Sequence, residues 1–549
     1  MRLRHFLVAI TAIVVAVPSV SRGDDSKAVP TLVVRIRSID DLLQEVKYLG
    51  GLAGKESDTK KLDDVVKKKL PGGFAGIDTK KPIGFYGKLD ENLLDSSAVA
   101  MVPVSDEKAV LDLLKQFHLE ATKEDDGGYV VNHDNGPPVY FRFASGYAYV
   151  TVRDKSALAQ DKLIPAARFF ANQPAATVSV SFRIDQIPNE YKQLLIGQAE
   201  LRIVEATEKK ESNETDQEQA IRKESAKQVS ELFATVIKEG ADLSVRLNVD
   251  RRAQKLQAEA SLTATPGSAL ASSIRAMGNT ESLFGGMLGA GTAARFGIHG
   301  ALPASLRDMV GSALVDKIKH ELAKEKDQGK RAAGEKLLEA ITPTLRMGEL
   351  DLGIVLSGPG ADGHYGFVGA VKLKEGKKLQ ETLREILKSL PEADRSKVTL
   401  DVESAGAVQI SRIDKLDLDE DARKNLGDNP GYIAFRDDAV LLAGGDGGLN
   451  LLKGALQSKP KVAPLLQLEF SATKMAPAIA ASGSKKGKSK EAQGKTDLQA
   501  VMAQAFGSGK DNDKIVVTLE GGNALRLRFD MGAPVLKFFH LMDEQKKEK

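Results

Sequence analysis

The chain has 549 residues, no cysteine and no tryptophan, and a formal net charge of +3. Without cysteine there are no disulfides, no thiolate nucleophile and no cysteine metal site, and a chain of this length can bury a core without such staples. A near-neutral chain sets up no global field for nucleic acid or anionic lipid, and 28% charged with 42% hydrophobic residues is ordinary for a folded protein.

The first element is a leader. Arg2 and Arg4 precede an apolar stretch from Phe6 to Val17, interrupted only by Thr11; Pro18 breaks it, and Ser21 and Gly23 supply small residues before Asp24. This pattern predicts a secretory signal peptide over residues 1–23, cut between Gly23 and Asp24, with an apolar stretch too short to span a bilayer. Arg2, Arg4 and Arg22 leave with it, so the mature chain is near neutral. No later stretch is long and uncharged enough for a membrane span. The expected location is a periplasm or the cell exterior.

In the mature chain Leu32, Val34 and Ile36 alternate with Val33, Arg35 and Arg37, a strand pattern. Ser38, with Asp41 three residues on, starts a helix whose expected apolar face is Leu42, Leu43, Val46 and Leu49; Gly50-Gly51 stops it. Lys67-Lys68-Lys69 reads as a solvated helix end. Val99 to Val104 is a strand feeding a helix from Lys108 to Phe117. Tyr140 and Phe143 lead through a Ser145-Gly146 turn into a second strand. Val178 to Ile184, a charged helix over Glu205 to Lys227 and a hairpin over Leu243 to Leu262 follow.

The same succession recurs. Phe296 and Ile298 precede Ser305, with Asp308 three residues later, and Met309, Val310, Leu314 and Ile318 form an apolar face. Phe367 to Leu373 feeds a helix carrying Leu379, Leu383, Ile386 and Leu387. Tyr432, Phe435, Asp438 and Asp446 stand at a constant offset from Tyr140, Phe143, Gly146 and Asp154. Leu465 to Phe470, a Lys-rich run over Ser482 to Lys495 and a hairpin over Ile515 to Met531 complete the second copy. The expected fold is α+β: two tandem, internally duplicated units of antiparallel sheet with helices on one face. The expected boundaries are 24–284 for the first unit, a Gly-rich linker at 285–292 and 293–542 for the second. A disordered loop at 482–495 and a charged tail at 543–549 are also expected.

Motifs for chemistry fail at defining positions. Gly487-Lys488-Ser489 and Gly494-Lys495-Thr496 lack the glycine that opens a phosphate loop. Asp417, Asp419 and Asp421 have calcium-loop spacing, but Ala422 and Asp428 replace the glycine and glutamate such a loop needs, so they read as a helix start. His320-Glu321 lacks a second histidine, since Lys324 stands there. His118, His133, His299, His364 and His540 show no ligand spacing, and no serine is flanked as a nucleophile elbow. The sequence therefore assigns no catalytic, cofactor-binding or metal residues and no cofactor.

With its leader, Gly76-Ile77-Asp78 followed by Pro82-Ile83-Gly84, and the repeated strand–helix–hairpin blocks, the chain resembles large exported bacterial proteins known as domains of unknown function. The resemblance is one of layout and implies no activity. The expected role is non-enzymatic binding or structure, with no nucleic acid and with a ligand or protein partner at the junction of the halves. The alternatives are a carrier of an apolar ligand, lined by strands such as Leu352 to Leu356 and Ala439 to Ala443, and a hydrolase without a recognisable motif.

Overall fold

The computed structural model describes residues 29–547, except 71, 93–95, 133–135, 153, 172–175, 210–213, 290, 302–303, 415, 417, 483–490 and 508–511. The expected leader, with Gly23 and Asp24, lies outside the described residues, as do His133 and Asp417.

The fold is α+β with antiparallel strands, and twenty of them are assigned to one large sheet rather than to two tandem units. The chain divides into two compact units that are not tandem. The first takes residues up to Gln198, Ala234–Ala271 and Asp530–Lys549; the second takes Ala199–Phe233 and Ser272–Phe529.

The first unit holds β1 (Leu32–Ile36), β2 (Ile83–Lys88), β3 (Ser97–Pro103), β4 (Ala121–Lys123) and β5 (Tyr129–Val131). It continues with β6 (Val139–Ala144), β7 (Tyr147–Val152), β8 (Val178–Arg183), β9 (Gly240–Asp250) and β10 (Lys255–Ala264). Their hydrogen-bonded order is β4-β5-β6-β7-β3-β2-β1-β8-β9-β10. Ser145 and Gly146 turn β6 into β7 with φ of 51° and 75°, the left-handed pair that a tight hairpin requires. One face packs Val33, Tyr86, Val99, Met101 and Tyr149 under Phe169. Phe169 comes from the short Ala166–Phe169 helix.

The second unit contains β11 (Glu281–Ser282) and β19 (Lys461–Val462), which pair only with each other. Its main strands are β12 (Ala294–Ala301), β13 (Glu349–Ser357), β14 (Gly366–Lys372), β15 (Val398–Ala405), β16 (Val408–Ile413), β17 (Gly431–Phe435) and β18 (Ala439–Gly445). They continue with β20 (Leu466–Ser471), β21 (Lys514–Glu520) and β22 (Leu525–Gly532), the last of which ends in the first unit. The order is β15-β16-β17-β18-β14-β13-β12-β20-β21-β22. Strand for strand, this is the order of the first unit.

Several local expectations change. Ser38 caps the Ile39–Leu52 helix by accepting from the Asp41 amide, but the helix runs through Gly50 and Gly51 to Leu52. The helix expected to start at Ser305 begins at Ala304. At the start of the expected 285–292 linker, Gly285 and Gly286 lie against the backbone of Lys461 and Lys459. Phe284 is 1% exposed in the second unit's core, and a Cβ on Gly286 would stand 2.6 Å from the Lys459 carbonyl oxygen. The glycines are there because backbone approaches backbone. Helices Ala472–Ser482 and Glu491–Phe506 occupy both ends of the expected 482–495 loop. Residues 543–547 of the expected tail continue a helix, Ala533–Lys547, that belongs to the first unit.

Candidate functional site

The site is a cleft in the first unit, about 570 Å³, lined by Arg37, Asp41, Glu45, Asn248, Val249, Asp250, Arg251 and Arg252. Three elements build it: the end of β1, the first turns of the Ile39–Leu52 helix, and the tip of the β9–β10 hairpin. Ser38 ends the strand and starts the helix in one residue. Its hydroxyl donates to Asp41 Oδ2 at 2.9 Å while accepting from the Asp41 amide, so both side chains are fixed at the cleft edge.

Glu45 forms the floor. It is 2% exposed and lies on the helix side turned towards Val249, Leu256 and Ala533, the cluster into which Tyr48, Leu49 and Leu52 pack. Arg37 Nη1 donates to Glu45 Oε1 at 3.1 Å, and Arg37 Nη2 donates to Asn248 Oδ1 at 2.6 Å. Asn248 donates to Gln257 Oε1 at 3.4 Å, and Gln257 donates to Asp530 Oδ1 at 2.8 Å, so the Arg37 anchor is itself held. Glu45 Oε2 is closed to solvent and has no partner at full hydrogen-bond geometry, with the Thr177 hydroxyl beside the carboxyl. Burial pushes the Glu45 carboxyl above its ordinary range, and the nearby Thr177 hydroxyl and Arg37 only partly offset it. An unmatched oxygen on a buried carboxylate is costly, and natural structures rarely leave one without a reason.

The rim is cationic. Asp250 Oδ1 accepts the amides of Arg252 and Ala253 at 3.0 and 2.8 Å, an Asx turn that presents two consecutive arginines. Arg251 donates to Gln44 Oε1 at 2.6 Å and stands 3.8 Å from Asp41. Arg252 is exposed. The arrangement can hold a small polar molecule against the charged and polar side chains that line the cleft.

No residue of this site was assigned a function from sequence, although Asp41 was read as part of a helix start. The signal was present. Glu45 falls between Leu42 and Leu49 at helical spacing, a charge within an apolar stripe. The expected stripe residue Val46 is instead 44% exposed.

The other motifs fall elsewhere. Asp419 accepts the Ala422 amide at 2.7 Å and caps the Glu420–Leu426 helix. His320 lies in the Ala304–Ala323 helix, and His364 pairs with Asp362 at 2.8 Å. His299 is buried with Nε2 unpartnered, opposite Asp351 in the β12–β13 register. Among the described residues no three His, Asp or Glu side chains are grouped to hold a metal, and no helix is long and apolar enough to cross a membrane.

The strands expected to line an apolar pocket instead close a core. Val355, Ala439, Leu441 and Ala443 pack with Val368, Ala370 and Ile410, while their neighbours Ile354 and Leu442 are 41% and 45% exposed on the opposite face.

No family model matches the chain, and no curated protein does. A solved structure, crystal form IV of TP0453, is similar over 43% of this chain and 77% of that one, at 11% identity and a TM-score of 0.22. A likeness that weak assigns neither fold nor function.

Proposed function

We propose that the chain is an exported, non-enzymatic binding protein, and that the first-unit cleft is where it holds a small polar ligand. The observation that carries this reading is the cleft itself: about 570 Å³, with Arg251 and Arg252 at its rim and the Arg37–Glu45 ion pair among its lining residues. Differential scanning fluorimetry of the mature chain against a library of sugars, amino acids, peptides and small organic anions tests it. Binding stabilises by mass action, so a true ligand raises Tm and a cleft variant removes the rise. If no class of polar compound shifts Tm, or if the shift survives Glu45→Gln and Arg37→Gln alike, the reading falls.

The matched strand orders support internal duplication as the origin of the two units. Superposition of residues 30–280 on 293–542 tests this, with Phe143 expected over Phe435. Both residues precede the two-residue turn of their hairpin. Export is tested by N-terminal sequencing of the secreted chain, which is expected to begin at or near Asp24.

One observation favours a second reading, the carrier of an apolar ligand. Leu468, Phe296, Ile354, Gly369 and Leu442 follow one another across β20, β12, β13, β14 and β18, and the three aliphatic ones are at least 39% exposed. Rows of this kind mark apolar binding faces. Titration with a fluorescent fatty acid separates the readings, since Ile354→Asp affects that ligand and leaves cleft binding unchanged.

A further inference from the structure

We infer that the cleft selects an organic anion: a small carboxylate or phosphate ester gripped by the guanidinium groups of Arg252, Arg251 and Arg37. This deepens the cleft reading and rests on it. Six charged side chains line the cleft, three of each sign, and the two signs are spent differently. Each acid is engaged by its own chain. Glu45 has a 3% exposed side chain and gives Oε1 to Arg37. Asp41 Oδ2 accepts from the Ser38 hydroxyl at 2.9 Å, and Asp250 Oδ1 accepts the Arg252 and Ala253 amides.

The cations keep donors in reserve. Arg252 is exposed, and its side chain makes no hydrogen bond or ion pair among the described residues. Arg251 donates to Gln44 and stands 3.8 Å from Asp41, with 39% of its side chain exposed. Arg37 spends one N–H on Glu45 and one on Asn248, and its side chain is 32% exposed. A guanidinium carries five N–H donors, so all three arginines have capacity beyond these partners. They are within reach of a ligand, as the Glu45 carboxylate is not. A cation entering the cleft would find its acids already bonded, and a neutral molecule would leave Arg252 a hydrated, unpaired charge. An oxyanion takes up the unused donors, each as a charge-assisted hydrogen bond in the planar fork geometry that arginine offers and that carboxylate and phosphate share. The cleft volume, about 570 Å³, lies within the range of organic-ligand sites, so it admits more than a bare ion.

The experiment is isothermal titration calorimetry of the full mature chain with succinate and glycerol 3-phosphate, each against its neutral counterpart, succinamide and glycerol. At least one anion is expected to bind, its counterpart about tenfold more weakly or not at all, and added NaCl is expected to weaken the anion alone. Succinate alone would assign a carboxylate ligand and glycerol 3-phosphate alone a phosphate ester. Arg252→Ala, at an exposed turn, is expected to keep the wild-type Tm and lose about tenfold in anion affinity; Arg252→Lys, which keeps the charge without the fork, is expected to recover part of it. Neutral counterparts that bind as tightly as the anions overturn the inference, as does an anion affinity untouched by Arg252→Ala and Arg251→Ala alike. If neither anion binds but a sugar does, this inference fails and the cleft reading stands. If nothing polar binds, both fail.

Discussion

Each unit buries a glutamate beside an arginine, and the two are finished differently. Glu469 on β20 has a 5% exposed side chain. It is paired with Arg295, its register partner across β12, and with Lys514 at 2.7 Å, so each carboxylate oxygen has its own cation. Burial pushes its carboxyl up, but the two cations and their hydrogen bonds outweigh that, and it is held below the ordinary range. Glu45 has the same burial and a single cation, and burial wins. Glu469 is matched by a cation at each oxygen, whereas Glu45 pairs with Arg37 through Oε1 and keeps Oε2 sealed from solvent. Arg37 and Glu45 line the cleft, which is why the candidate site lies in the first unit.

The comparison is broken most severely at Glu469. Glu469→Ala removes the carboxylate from Arg295, whose side chain is only 15% exposed, whose Nε already lacks a partner and whose remaining acceptors are the Leu288 and Gly289 carbonyls. Removing one member of a buried pair costs about 3–5 kcal/mol, and urea unfolding is expected to show a loss in that range. The two hairpin tips give the next test. Where β9–β10 ends in the open Asx turn of the cleft, β21–β22 ends in Gly521-Gly522, packed on the Ala269–Met277 helix. The Gly522 amide donates to the Ile274 carbonyl at 2.8 Å, and a Cβ on Gly521 would stand 2.4 Å from that oxygen. Gly521→Val is expected to cost about 1–3 kcal/mol, since backbone cannot yield as a side chain can. Arg252→Ala, at the other tip, is expected to change stability by less than about 0.5 kcal/mol.

The part of the fold carried by local chemistry was legible in the sequence: the alternation in Leu32–Ile36, the Ser38 cap, the Ser145-Gly146 turn. Features set by distant segments were not. Gly285 and Gly286 read as a flexible linker because glycine permits freedom and close packing equally, and only the approach of Lys459 and Lys461 decides between them. The Ala533–Lys547 helix read as the end of the second unit, yet Ala533, fully buried, donates its amide to the Gln254 carbonyl in the first. The site was hidden for the same reason. Glu45, Asn248 and Arg251 come from a helix, a strand and a turn some two hundred residues apart, and only the Glu45 interruption of an apolar stripe was visible locally.

Glu45→Gln sharpens the comparison at smaller cost. The amide keeps the shape and can still accept from Arg37, whose side chain is 32% exposed and therefore hydrated. A loss of about 1 kcal/mol or less is expected, well below that of Glu469→Ala, because Glu45 gives up desolvation along with its ion pair. A loss as large as that at Glu469 would mean Glu45 is structural.

The smallest effect is in pH, and its sign is the sharpest discriminator. The Glu45 carboxyl is raised above its ordinary value of 4.5 in the folded state, so the native chain holds that proton where the unfolded chain has released it. Its contribution to stability is therefore fully present below pH 4.5 and is lost as pH rises through the raised value. Glu469 is lowered from the same value, so its contribution is present above pH 4.5 and is lost as pH falls through the depressed value. Subtracting the unfolding free energy of Glu45→Gln from that of the wild type removes every shared titration. The difference is expected to decline with rising pH above 4.5. The matching difference for Glu469→Gln is expected to grow with pH below 4.5. Curves that slope the same way would show that both carboxylates are saturated by their own chain.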